Sequence, residues 1–91
     1  MIYPFMTLND DTEIVHSEMN ADGGTVKVYM ETPGAELGFK LATCYLPGYR
    51  WEDIVGHSEK DIDSFEEIIR STANLIMELS KEGGFENASG F

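Results

Sequence analysis

Across residues 25–32 apolar and polar side chains alternate without a break, Val26, Val28 and Met30 on one parity and Lys27, Tyr29 and Glu31 on the other. Successive side chains of an extended backbone leave opposite sides, so this period of two predicts a strand with one buried face. Residues 2–8 are rich in large apolar groups, Asn9-Asp10-Asp11 is turn chemistry, and residues 12–19 resume with Ile14 and Val15. Together they predict a hairpin. Asn20-Ala21-Asp22-Gly23-Gly24 reads as a second turn. Pro33-Gly34-Ala35-Glu36 with Gly38 reads as a third connection, followed by a strand over 39–46 that stops at Pro47-Gly48. Four strands joined by short loops predict an antiparallel meander over residues 1–46.

Residues 47–57 carry no clear period, although Trp51-Glu52-Asp53-Ile54-Val55 could form a helical turn, and they read as a connector. Ser58 then has the chemistry of an N-cap. Asp61 stands in the third position of a capping box, and Glu59, Asp61 and Asp63 complement the positive end of a helix dipole. Apolar side chains recur at Ile62, Phe65, Ile69, Ala73, Ile76 and Leu79, which predicts a helix over 58–82 with Gly83-Gly84 as its C-cap. Ile68, Leu75 and Met77 widen the apolar arc to ~200°, about twice what a helix on one sheet buries. The excess needs cover from Trp51 and Ile54, from Phe85 and Phe91 of a flexible tail over 83–91, or from a second subunit.

These elements predict a single α+β domain over residues 1–91, a two-layer arrangement in which the long C-terminal helix covers one face of a four-stranded sheet. The other face then becomes the question. Tyr29 points away from the helix, and Tyr3 and Phe5 alternate with Ile2 and Met6, so both sheet faces are expected to carry large apolar groups. An uncovered patch of several hundred Å² marks an interaction surface. Tyr45, Tyr49 and Trp51 around Pro47 and Arg50 add the residue types that centre interfaces, against the plainer reading of Trp51 as packing on the core margin. Tyr3, Phe5, Tyr29, Tyr45, Tyr49 and Trp51 are therefore the candidate interface residues.

Charge changes the picture of what could bind. The chain holds 17 Asp and Glu against 6 Lys and Arg, a formal net charge of -11. Such a surface repels phosphate backbones and anionic lipid over a Debye length of ~8 Å, so nucleic acid and membrane are poor partners and a basic protein is a good one. Apolar residues at 42% are enough to fold rather than stay disordered. One cysteine, Cys44, excludes an intrachain disulfide, and the start of the chain lacks a basic n-region. A cytoplasmic location is expected.

Candidate chemistry is sparse. Cys44, His16 and His57 are the only thiol and imidazole ligands, but they stand singly in different elements rather than in the close pairs of structural zinc sites. A Cys–His nucleophile is disfavoured because Cys44 lies mid-strand, away from the helix N-termini and cations that activate thiols. Asp10-Asp11, Glu52-Asp53 and Glu66-Glu67 are carboxylate pairs of the kind that stay hydrated. No calcium loop or phosphate loop is complete. Catalytic residues, metals and cofactors are therefore not expected.

The expectation is a non-enzymatic protein-interaction module that forms a homodimer or takes a basic partner, in the manner of an antitoxin or a nucleic-acid mimic. The alternative is a small-molecule-binding domain or minor enzyme in which His16, Cys44, Tyr45, Trp51 and His57 converge on a pocket between sheet and helix.

Overall fold

The computed structural model describes residues 2–20, 24–34 and 38–82. Its strands are β1 Ile2–Thr7, β2 Glu13–Ser17, β3 Val26–Gly34, β4 Gly38–Leu46 and β5 Arg50–Val55, followed by the helix α1 Glu59–Glu82. The strands form one antiparallel sheet in the order β1-β2-β3-β4-β5, each pairing with its neighbour in the chain. The meander and the covering helix therefore hold, with five strands rather than four. The expected helix cap at Gly83-Gly84, the tail over 83–91 and residues 21–23 of the second turn lie outside the described residues.

The fifth strand comes from the segment read as a connector. Leu41 pairs with Val55 but Thr43 with Glu52, so two residues of β5, Asp53 and Ile54, oppose Ala42 alone. Asp53 takes a left-handed φ of 54° at this bulge. An inserted residue reverses the phase of the alternation, which erases the period of two from the sequence. A second bulge between Pro4 and Met6 does the same to β1. Tyr3 pairs with His16 and Met6 with Ile14, so Tyr3 and Met6 share the helix-side face instead of alternating across the sheet.

The core forms where the period-two and period-3.6 patterns meet. Ile14, Val26, Val28, Met30, Ala42, Cys44 and Leu46 project from the sheet onto Phe65, Ile69, Ile76 and Leu79, all buried. Full burial of each large side chain contributes about 1.5–3 kcal/mol before the cost of ordering it. The helix crosses the sheet obliquely. Trp51 of β5 meets Glu66 near its start, whereas His16 of β2 meets Ser80 near its end. Part of the wide apolar arc is covered as Ile62, Ile68, Ala73 and Met77 pack partly buried on the core, while Leu75 stays 46% exposed. Among the described residues no helix is long and apolar enough to cross a membrane.

Candidate functional site

Two regions of the molecule could do work, and the first is the sheet face turned away from the helix. Strand register places its side chains in three cross-strand rows. Thr7, Glu13, Glu31, Leu41 and Val55 form one end row, and Pro4, Val15, Tyr29, Thr43 and Glu52 the middle row. Ile2 with Ser17, and Lys27 with Tyr45 and Arg50, form the other end row, joined by the bond from Lys27 N–H to Ser17 Oγ at 3.0 Å. Among the described residues no element covers this face. Ile2, Leu41 and Val55 are 50%, 40% and 54% exposed, and Phe39, paired with Pro33 beyond the end row, is 59% exposed.

The charges of this face are sorted along the strands. Lys27 and Arg50 flank the Tyr45 ring at 5.6 and 4.4 Å, cation–π contacts that hold both cations at one end. Arg50 Nε also meets Glu52 Oε2 at 2.7 Å. At the opposite end Glu13 and Glu31 stand directly across from each other, and among the described residues neither makes an ion pair. Like charges in that relation are destabilising.

The second region is an open cleft of about 540 Å³ where the helix begins, lined by Asp10, Thr32, Lys40, His57, Asp61 and Phe65 among others. A hydrogen-bond chain backs it. His57 Nδ1 donates to the Leu41 carbonyl oxygen at 3.2 Å, since that oxygen can only accept, and Nε2 lies 3.1 Å from the Thr32 hydroxyl. The Thr32 hydroxyl in turn lies 2.6 Å from the buried Thr12 hydroxyl. The Phe65 ring packs edge-on against His57 with centroids 5.0 Å apart. Below the cleft Ser58 caps the helix reciprocally: its amide donates to Asp61 Oδ2 at 3.0 Å, and the Asp61 amide donates to Ser58 Oγ at 3.2 Å. That amide donor holds the Asp61 carboxyl below the usual carboxylate range. The Thr12 hydroxyl and amide lower Asp10 in the same way.

The six candidate interface residues are divided between the two sides of the sheet. Tyr29 and Tyr45 lie on the open face. Tyr3 and Phe5 are half-buried on the helix side against the His16 ring, at centroid distances of 5.6 and 6.3 Å. Tyr49 and Trp51 clamp the helix flank. The Trp51 indole donates to Glu66 Oε1 at 3.0 Å, Arg70 Nε donates to Glu66 Oε2 at 3.1 Å, and the Arg70 guanidinium lies 4.0 Å from the Tyr49 ring centroid. Those two donors keep the Glu66 carboxyl below its ordinary range.

The three soft or imidazole residues do not meet. His16, Val28 and Cys44 occupy one cross-strand row, which puts Val28 between the thiol and the imidazole and separates their backbones by ~10 Å. Burial pushes the Cys44 thiol up to about 12, far from a reactive thiolate. His16 donates from Nδ1 to the Ser17 carbonyl at 2.9 Å, with Ser80 Oγ also at 2.9 Å, while its buried Nε2 has no hydrogen-bond partner among the described residues. Of His16, Cys44, Tyr45, Trp51 and His57, only His57 lines the cleft. Among the described residues no group of three or more His, Cys, Asp and Glu is placed to hold a metal ion. Thr12 and Thr32 went unnoticed in the sequence because a threonine on the apolar parity of a strand resembles a core-margin residue.

No protein-family model, curated protein or solved structure matches the chain.

Proposed function

We propose that this chain is a non-enzymatic interaction module with two working surfaces: the open sheet face pairs with a second copy, and the acidic helix side receives a basic protein. The observation that carries this reading is the segregation of charge between them. The open face has three carboxylates and two cations among apolar groups, a near-neutral surface on a chain of formal net charge -11. The outward helix arc exposes Glu59, Asp63, Glu67 and Glu78. Of its three cations, Arg70 is engaged by Glu66 and Tyr49 and Lys81 by Glu78 at 3.5 Å, while Lys60 stands exposed beside Glu59. A surface of this kind raises the encounter rate with a basic partner and loses that advantage as salt rises. Neutralising such a partner is the concrete form the role takes.

The test is capture from source lysate on the immobilised chain and on a variant with Glu59, Asp63, Glu67 and Glu78 each changed to Gln. Basic proteins retained at low salt, released near 0.5 M and missed by the variant are the expected result. Retention that ignores both salt and these four carboxylates would sink the basic-partner reading. A second reading, a small-molecule-binding domain, is supported by the cleft at Lys40, His57 and Asp61. Amide shift changes confined to those residues in a metabolite screen would favour it.

A further inference from the structure

The structure points to a specific arrangement for the pairing, and we propose that two copies pack open face to open face, head to tail, about a two-fold axis passing beside Tyr29. This rests on the reading of the open face as the self-association surface, and it adds the orientation and the residues that set it. Along β3 the outward side chains are Lys27, Tyr29 and Glu31, so a cation and a carboxylate lie at equal distances, ~7 Å, on either side of the tyrosine. A two-fold axis lying in the interface and perpendicular to the strands sets Lys27 of each copy over Glu31 of the other. Tyr29 then meets its own counterpart. The axis keeps each strand over its own counterpart, so Lys27 of one copy covers Glu31 of the other in both halves of the interface at once, with Arg50 two strands to the side.

The alternative two-fold, parallel to the strands, sets Lys27 on Lys27 and Glu31 on Glu31. Charge therefore selects between the two symmetric arrangements. Packed sheets stand ~10 Å apart, a gap that a lysine and a glutamate from opposite sides together span. Glu31, set directly against Glu13 and without an ion pair among the described residues, gains the Lys27 ammonium of the other copy. The apolar groups of the same face, Val15, Leu41 and Val55, with Thr43 already buried between the strands, supply area that water would otherwise wet.

Sedimentation equilibrium on the wild type and three variants, with far-UV circular dichroism to confirm folding, tests the arrangement. Wild type should dimerise. Lys27→Glu and Glu31→Lys, each of which puts like charges together twice, should each weaken the dimer about tenfold or more, and the double variant K27E/E31K should recover it because the swapped charges again face opposite signs. A wild type that stays monomeric at about millimolar concentration overturns the self-association itself. A wild-type dimer that both single variants leave intact, or that the double swap fails to restore, overturns the head-to-tail orientation. Capture of a basic protein through the helix carboxylates is measured separately, so its outcome does not stand in for either.

Discussion

His16 has the most constrained chemistry of any side chain here. Its ring is fully buried between Tyr3, Phe5 and the end of the helix, Nδ1 is committed to Ser17 and Ser80, and among the described residues Nε2 has no acceptor waiting for a second proton. Burial accordingly pulls its pKa below 6.5, with the Ser17 carbonyl opposing in part. Above 6.5 neither state takes the proton; below it the unfolded chain does and the folded chain resists. Stability should therefore be complete above pH 6.5 and fall as the pH drops toward the folded value. Asp10, Asp61 and Glu66, whose carboxyls are lowered by their donors, act in a more acid window. Urea midpoints between pH 8 and pH 5 should decline for the wild type and stay flat for His16→Gln; equal declines would remove His16 as the cause. Neither the burial nor the missing acceptor of His16 was legible in the sequence, because both depend on Tyr3, Phe5 and Ser80 arriving from distant elements.

At the scale of elements, bulges and tight approaches decide how the sheet is finished. Gly56 ends β5 with a φ of 83°, and a Cβ there would stand 2.9 Å from Lys40 Cγ. Gly56→Ala should cost about 1–2 kcal/mol, chiefly from the left-handed backbone, since the lysine stem can move aside. Thermal unfolding would measure it, and an unchanged midpoint would show that β5 tolerates a different exit. The helix was the most legible element. Its three- and four-residue spacing and the Ser58–Asp61 box are both local, and they survive unchanged in the structure. β5 was illegible for the opposite reason. Its bulge places Asp53 and Ile54 against one partner residue, and its edge position leaves Arg50, Glu52 and Asp53 exposed, so neither parity reads as buried.

For the whole molecule, the two sides of the sheet should respond to substitution in opposite ways. Ile76 sits in the closed layer with no exposure, and Ile76→Ala should destabilise the chain by about 2–5 kcal/mol. Phe39 on the open side contributes little to a single copy, and Phe39→Ser should shift monomer stability by less than about 0.5 kcal/mol. Denaturant titrations at low protein concentration give both numbers, and comparable losses would mean that the open side is structural. The amino-acid sequence by itself determined the helix, its cap, the buried parity of β3 and the surplus of negative charge, because each is a property of near neighbours or of composition. Only the tertiary structure decided the fifth strand, the turning of Tyr3 and Phe5 toward His16, the meeting of Thr12, Thr32 and His57, and the gathering of Arg50 near Lys27 and of Glu13 against Glu31 at opposite ends of one face. These depend on strand register, and a single inserted residue reverses register without leaving a mark in the local pattern.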